Sequence, residues 1–290
     1  MAGSSRDSQR RIKSVKNIGK VTRAMEAVSA SKMRRAQDAT LRSRAYAAKA
    51  VQVMAHLREQ PGSASTLHPL LREDAPGRPA VLLITPDLGL TGGLVLNIIR
   101  FAARESAKLG EPAWVTMGKK GRDFITRAGA PLVAEFTNLP DRPTALDISP
   151  IARLLTDGFL EGEFSSVHLA FADFESVAKQ EPVWRRLLPV EVSEEPVTMQ
   201  AGYDFEPSPE AVLGVLLPRL VEMRIYQALL ESQASEHSAR MVAMRNATEA
   251  SDELVSDLTL TYNKVRQSDI TSEILDIAGG AEALRQATRK

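Results

Sequence analysis

Three features of the sequence predict an α/β domain inserted into a long antiparallel coiled coil. Neither Gly nor Pro occurs in residues 20–60 or in residues 219–278. Between these segments, short apolar runs alternate with stretches of helical pattern, and the two ends of the chain carry opposite charge. Long uninterrupted segments are typical of paired helices, and the alternation is typical of a parallel α/β sheet. We therefore expect N- and C-terminal helices flanking an inserted Rossmann-like α/β domain.

The first helix is predicted from an apolar seam near the N-terminus. Its apolar side chains recur at spacings of three and four, the pattern of a coiled coil. The residues of this seam are Ile12, Val15, Ile18, Val21, Met25 and Val28. A helix over residues 20–60 would be about 60 Å long, at about 1.5 Å per residue.

The last helix is predicted in the same way. A first set of residues at helical spacing is Leu220, Met223, Leu230, Ala234, His237, Met241 and Met244. A second set is Ile270, Ile274, Ile277, Ala281 and Leu284. A helix over residues 219–278 would reach about 90 Å. We expect both sets to face the first helix, with His237 packed in the seam.

The charge asymmetry agrees with an antiparallel pairing. Residues 6–44 hold twelve Lys or Arg against three acidic residues, and residues 245–284 hold three basic against eight acidic residues. Antiparallel helices would place the basic segment beside the acidic one. Exposed ion pairs contribute little stability each, so they would set orientation more than stability.

The middle of the chain is predicted to alternate strands with helices. The expected strands are residues 80–85, 113–117, 131–136 and 166–171, and the expected helices are residues 92–108, 120–128 and 148–161. Pro- and Gly-rich stretches at residues 61–79 and 189–209 mark the boundaries. The predicted divisions are the N-terminal coiled-coil helix 1–60, the inserted α/β domain 61–208 with its linkers, and the C-terminal coiled-coil helix 209–290.

Composition excludes several classes of function. The chain has no cysteine, which excludes disulfides, thiolate metal sites and cysteine nucleophiles. Its four histidines are scattered without metal-ligand spacing, and no apolar stretch is long enough to span a bilayer. The first residues show no apolar signal core. We expect no catalytic residue, no cofactor and no metal on this chain.

Two motifs allow a second interpretation each. The Gly-rich turn Gly89–Gly93 follows a strand and opens a helix, where backbone N–H groups can bind phosphate. It lacks the Lys-Ser/Thr ending of a P-loop, and a structural turn is the favoured interpretation. The basic N-terminal helix could bind nucleic acid, but no aromatic residues are interleaved with its charges, so a coiled-coil face is favoured.

Several segments resemble the gamma subunits of F-type ATP synthases. The main ones are Arg10–Met25, Ser31–Gln37, Ala234–Thr248, Leu258–Gln267, and Ile270–Ile277 followed by Gly279, Gly280 and Ala281. Gly118–Phe124 and Phe205–Pro209 are similar to the family as well. The resemblance covers nearly the whole chain in the family's order. One departure is visible: Leu88 and Thr91 stand where the family usually has Arg and Cys.

The resemblance implies a central-stalk rotor that couples proton translocation through a membrane c-ring to ATP synthesis or hydrolysis on an alpha/beta hexamer. The implied partners are the alpha, beta and epsilon subunits and the c-ring, with no nucleic acid and with membrane contact only through partners. The implied location is the cytoplasmic face of a bacterial cell membrane. The implied beta-subunit contacts are Met25, Arg266, Gln267 and Thr271. The implied contacts with epsilon and the c-ring are Phe205, Glu206 and Pro207.

Two other classes remain open at this stage. The chain could be a free coiled-coil scaffold, which predicts a stable homodimer without ATPase partners. It could instead be an enzyme that uses the loop Gly89–Gly93, which predicts saturable binding of a phosphate ligand to the isolated chain.

Overall fold

The structure, a computed structural model, describes residues 5–58, 68–191 and 208–287. Its α-helices are α1 (Ser5–Arg58), α2 (Leu94–Ser106), α3 (Lys119–Ala128), α4 (Ala145–Leu160) and α5 (Pro209–Ala287). Its strands are β1 (Arg78–Ile84), β2 (Ala113–Met117), β3 (Leu132–Phe136), β4 (Phe164–Phe174) and β5 (Gln180–Leu188). Short 3-10 turns lie at Pro69–Leu71 and Ala107–Leu109. The predicted fold class, an α/β sheet between long terminal helices, is confirmed.

The five strands form one sheet in the order β3-β2-β1-β4-β5. β1 lies at its centre and pairs in parallel with both β2 and β4. Five successive residues of β1, from Ala80 to Ile84, are buried. A continuous apolar strand of this kind is expected where helices cover both faces of a parallel sheet.

The two faces of the sheet have separate cores. Leu82 and Ile84 point to the face covered by α4 and α5, where Ile225 of α5 is fully buried. Val81 and Leu83 belong to the other core, which α2 and α3 cover. The alternation of side chains along β1 therefore decides which helices each residue contacts.

The fifth strand is absent from the sequence prediction. β5 pairs antiparallel with β4 at the edge of the sheet. Its sequence contains Pro182 and the charged residues Arg185 and Arg186, which a strand buried on both faces would not tolerate. Edge strands commonly carry charge and proline because these discourage pairing with other chains. Because the strands were predicted from continuous apolar runs, β5 could not be predicted.

The described chain forms two compact units: Met1–Ala27 with Ala243–Lys290, called here the terminal unit, and Val28–Val242, called the sheet unit. In the terminal unit the two helices run antiparallel. The hydroxyls of Thr22 and Thr248 are hydrogen bonded at 2.7 Å, and Arg23 pairs with Asp252 at 2.9 Å. Gly19 faces Ser251 closely enough that an added Cβ would contact it.

The predicted α1 seam is wrong at three positions. Ile18, Val21 and Val28 are each more than half exposed, while Gly19, Thr22 and Ser29 are buried. The contact face of α1 is thus displaced by one residue from the apolar row. Small side chains allow the helix backbones to approach. The threonine hydroxyls bond to each other and to the carbonyls of Gly19 and Met244, so burying them costs little.

Candidate functional site

The residues expected to contact the beta subunit from α5 lie on an exposed stretch of helix. Arg266, Gln267 and Thr271 are all exposed. The Thr271 hydroxyl donates to the Gln267 carbonyl at 2.9 Å, so its oxygen retains acceptor capacity toward an outside group. The side chains of Arg266 and Gln267 are exposed polar groups that can form directional hydrogen bonds to a partner.

The apolar residues of the same stretch are exposed as well. Ile270, Ile274 and Ile277, called here the terminal stripe, are 43%, 60% and 73% exposed. The prediction that they face α1 is wrong. Because Gly19 lies opposite Ser251 in an antiparallel pair, Ser5 falls level with about residue 265. The described part of α1 therefore ends before the terminal stripe begins.

Met25, the fourth expected head contact, lies elsewhere in the terminal unit. It is half-buried on α1, next to Glu26, which pairs with Arg245 at 3.0 Å. About twenty residues of α5, or about 30 Å of helix, separate Arg245 from Arg266. The structure therefore does not bring Met25 together with the other three residues.

The expected foot contacts Phe205, Glu206 and Pro207 lie outside the described residues. Their part in the function stays a prediction.

In the sheet unit, one arginine of α5 holds the loop that follows β1. The Arg240 guanidinium donates to the carbonyl oxygens of Leu88 and Gly89, at 3.4 and 3.3 Å, and to the Glu236 carboxylate at 2.6 Å. In this loop Leu90 has a φ of 64°, a left-handed conformation that is unfavourable for a leucine. Two nitrogen atoms of one buried side chain thus fix a strained loop to α5.

The loop contacts bear on the departure from the family pattern at position 88. Arg240 contacts the backbone carbonyl of Leu88, whereas the Leu88 side chain is 68% exposed. Thr91 is buried. A different side chain at position 88 therefore leaves the contact with Arg240 available.

The same contacts argue against a phosphate site in the loop Gly89–Gly93. A phosphate cradle presents backbone N–H groups, but here the carbonyls of Leu88 and Gly89 turn toward a guanidinium. The structural turn is the better interpretation of the motif.

The carboxyl ends of three strands are tied together beside this loop. The Asp87 carboxylate accepts the backbone N–H groups of Lys119 and Asn138, both at 2.9 Å. The Thr85 hydroxyl accepts the N–H of Gly121 at 2.8 Å. Gly118 has a φ of 96°, and a Cβ there would collide with the Thr85 carbonyl, so the close approach requires glycine.

A cluster of charged groups lines a cavity of about 150 Å³ at this edge of the sheet. Lys32 of α1 pairs with Asp141 at 2.6 Å, and Arg240 pairs with Glu236. Burial raises the pKa of the Glu236 carboxyl, an effect that Arg240 opposes. Burial, reinforced by Arg240 and Lys32, lowers the pKa of His237 to about 4. His237 is therefore neutral at physiological pH, and it is packed as the sequence predicted.

One Ser–His contact in the sheet unit resembles a catalytic pair but lacks the required proton arrangement. The Trp184 indole N–H donates to Nδ1 of His168 at 3.1 Å. The neutral ring then carries its proton on Nε2, which lies 3.1 Å from the Ser166 hydroxyl. That nitrogen donates to Ser166 and cannot accept its proton, so His168 is no base for this serine.

No group of three or more His, Cys, Asp or Glu among the described residues is arranged to hold a metal ion. Over the same residues, no helix combines the length and the apolar character needed to cross a bilayer.

Comparison with known proteins decides the family. A family model described as ATP synthase matches residues 4–284. The ATP synthase gamma chain of Dehalococcoides mccartyi strain BAV1 is 50% identical over 280 residues, covering 95% of this chain and 97% of that protein. The chain belongs to the ATP synthase gamma chain family. The gamma chain of Roseiflexus castenholzii is 46% identical over 292 residues, covering 98% of this chain and 99% of that protein.

Two solved ATP synthase structures contain chains with the same fold. A chain of the Euglena gracilis mitochondrial ATP synthase in rotational state 3 matches with a TM-score of 0.69 at 17% identity, covering 99% of this chain and 96% of that one. A chain of the Tetrahymena thermophila central stalk and c-ring structure matches with a TM-score of 0.59 at 22% identity, covering 78% and 99%. At these identities the likeness concerns the fold alone.

Sequence reasoning missed the residues that hold the loop after β1. Asp87 and Thr85 act through backbone groups of distant elements, which no local pattern reveals. Glu236 and Arg240 did carry a signal, because residues four apart on a helix lie side by side. Their spacing could have predicted the ion pair, but not the carbonyls that Arg240 contacts.

Proposed function

We propose that this gamma chain is the central-stalk rotor of an F-type ATP synthase. In this role it couples proton translocation through a membrane c-ring to ATP synthesis or hydrolysis on a hexamer of alpha and beta subunits. Family membership over nearly the whole chain supports the proposal. The structural observation that carries it is the terminal stripe.

The terminal stripe is an exposed apolar surface. No described residue of the terminal unit covers it. Ile270, Ile274 and Ile277 recur at spacings of four and three, as residues that face a common partner do. An exposed apolar row of this kind marks an interaction surface. A ring of alpha and beta subunits around the end of α5 would cover it from every side.

The proposed contacts follow from this arrangement. Arg266, Gln267 and Thr271 lie within one turn of Ile270, at the start of the terminal stripe, and would form directional hydrogen bonds with a beta subunit. Met25 would contact the head at a separate level of the shaft. Phe205, Glu206 and Pro207 would contact the epsilon subunit and the c-ring.

The three predicted divisions acquire separate roles in this proposal. Segments 1–60 and 209–290 would form the shaft, and segment 61–208 would contribute the α/β sheet. The shaft would present a different face to each beta subunit as it turns. Each face would bias one beta subunit toward one nucleotide-binding state, which is a population shift caused by differential contacts.

The chemistry would take place on the beta subunits, so this chain carries no catalytic site, cofactor or metal in the proposal. The arrangement of Ser166 and His168 supports this assignment. The chain would reach the membrane only through its partners, on the cytoplasmic face of a bacterial cell. The bacterial relatives support that location.

The test is a comparison of two variants in the assembled ATP synthase. One carries Ile274→Ser with Ile277→Ser, and the matched control carries Ser268→Ala with Glu273→Gln on the same exposed stretch. Both complexes are purified and placed in vesicles. The number of protons pumped for each ATP hydrolysed is then measured. We expect the stripe variant to lose coupling while the control pumps normally.

Equal pumping by the two complexes would contradict the role of the terminal stripe. Subunit stoichiometry is determined on the same preparations by mass spectrometry. Three alpha and three beta subunits for each gamma chain support the rotor. Recovery of a homodimer without alpha and beta would favour the scaffold instead.

A further inference from the structure

A second cavity lies in the sheet unit, between α5 and the edge of the sheet formed by β4 and β5. Its volume is about 530 Å³, within the range of about 300–1,000 Å³ that is usual for small-molecule sites. Three arginines, one glutamate and one glutamine line it together with apolar residues. The arginines are Arg185, Arg186 and Arg224.

Arg224 has no hydrogen bond or ion pair among the residues that the structure describes. It is half-buried on α5, and burial lowers the pKa of its guanidinium, an effect that the charge of Glu191 opposes. Removing a cation from water without pairing it is costly. The other arginines of the sheet-unit part of α5 are paired: Arg219 with Glu222, and Arg240 with Glu236.

The two remaining arginines of the cavity are fixed in place. Arg186 pairs with Glu191 at 2.6 Å. Arg185 pairs with Asp173 and Glu231, both at 3.2 Å, and its guanidinium lies 5.0 Å from the centre of the Phe171 ring. They are therefore held at the cavity wall by contacts that leave some of their five N–H donors unused.

The N–H donors of the lining favour a phosphate group. Arg185 and Arg186 are already paired with carboxylates, so Arg224 carries the charge of the lining that has no ion pair among the described residues. A phosphate monoester offers three terminal oxygens, which can accept from Arg224 and from the unused donors of the other two guanidiniums, whereas a carboxylate offers two. The planar fork of arginine suits phosphate oxygens. Leu169 and Leu220 supply an apolar wall, and the volume exceeds what inorganic phosphate alone needs.

We propose that this cavity binds a phosphorylated small molecule of the nucleotide class, with Arg224 as the principal phosphate ligand and Arg186 beside it. The cavity is distinct from the terminal stripe and from the loop after β1. The site would let a phosphorylated metabolite bind the chain outside the catalytic nucleotide sites of the complex.

The test is titration calorimetry on the full-length chain alone, so that catalytic subunits do not contribute. The probes are AMP, ATP, inorganic phosphate and adenosine. We expect AMP and ATP to bind, more weakly as salt rises, and adenosine not to bind. If inorganic phosphate binds as tightly as AMP, the site is supported with free phosphate as its ligand.

Two substitutions and one control make the result specific. Arg224→Gln removes the charge and should weaken AMP binding by about tenfold or more, as expected for lost charge-assisted hydrogen bonds. Arg224→Lys keeps the charge but loses the fork and should weaken binding less. Arg219→Gln, on the same helix outside the cavity, should leave the affinity unchanged.

Three results would overturn the proposal. One is that no probe binds at millimolar concentration. Another is that Arg224→Gln binds AMP as tightly as the unmodified chain. The third is a clear fall in the melting temperature of Arg224→Gln, because the loss of an unpaired, desolvated charge should leave the fold at least as stable.

Discussion

Two stretches of α5 have the same kind of apolar pattern and opposite environments. In residues 213–241, apolar side chains at helical spacing are buried, and Leu217 and Ile225 are fully inaccessible. In residues 266–281, the terminal stripe repeats that spacing, yet Ile277 is 73% exposed. The difference shows that a periodic apolar face indicates where a helix needs a cover. It does not say whether the same chain provides one.

The energetic consequence differs between the two stretches. Burying a side chain such as Ile contributes about 1.5–3 kcal/mol to stability. The first stretch gains this free energy within the sheet unit. In the free chain the terminal stripe does not gain it, and the rotor proposal assigns that gain to assembly with the alpha and beta subunits.

The largest expected effect is in the buried stretch. Ile225→Ala removes a fully buried side chain from the core between α5 and the sheet. We expect the free energy of unfolding of the isolated chain to fall by about 3 kcal/mol, from lost transfer free energy and the cavity left behind. Urea unfolding followed by circular dichroism measures the change.

The control for Ile225→Ala is Val215→Ala on the same helix. Val215 is 70% exposed, so its truncation should change the free energy of unfolding by less than about 0.5 kcal/mol. Similar losses in the two variants would mean that the burial pattern of α5 is misassigned.

A smaller expected effect is a pH dependence of the free energy of unfolding, which comes from the buried stretch. His237 is 6% exposed, and burial lowers its pKa to about 4. The unfolded chain has the ordinary pKa near 6.5, so between these values it binds a proton that the folded chain does not. Stability should therefore be full above pH 6.5 and fall as the pH drops toward 4. The loss would be about 2–3 kcal/mol.

The variant His237→Gln isolates this contribution. Burial raises the pKa of neighbouring Glu236, so the folded chain retains a proton above the usual carboxyl range and loses that stability as the pH rises. The free energy of unfolding therefore falls with decreasing pH because of His237 and with increasing pH because of Glu236. The variant His237→Gln keeps only the pH dependence that comes from Glu236. If both proteins show the same stability profile between pH 4 and 6.5, the burial of His237 does not control its protonation.

Sequence reasoning predicted the fold class and the strands β1 to β4, because those strands are continuous apolar runs bounded by Gly and Pro. It failed for β5, whose Pro182 and arginines reflect an edge position rather than an apolar face. It also chose the wrong face of α1. Apolar side chains indicated Ile18 and Val21, while close approach of the backbones selected Gly19 and Thr22.

The candidate sites were less accessible to prediction for a related reason. Arg240 acts on backbone carbonyls, and Arg224 is singled out by the lack of a partner among the described residues. Both properties depend on which elements meet in space. A sequence pattern records the side chain alone, so it could predict a helix with arginines but not which arginine holds a loop and which one lines a cavity.

The smallest expected effect is the sharpest test of the difference between the two stretches of α5. Ile274→Ala shortens a side chain of the terminal stripe that is 60% exposed. Alanine also favours the helix more than isoleucine does, so the isolated chain should unfold within about 0.5 kcal/mol of the unmodified chain. The same substitution in the assembled complex should weaken coupling, because there the stripe is covered. A loss near that of Ile225→Ala in the isolated chain would mean that the stripe is already covered without partners, as in a homodimer. Sedimentation of the free chain distinguishes that case directly, since the rotor proposal predicts a monomer and the scaffold predicts a dimer whose dissociation Ile274→Ala promotes.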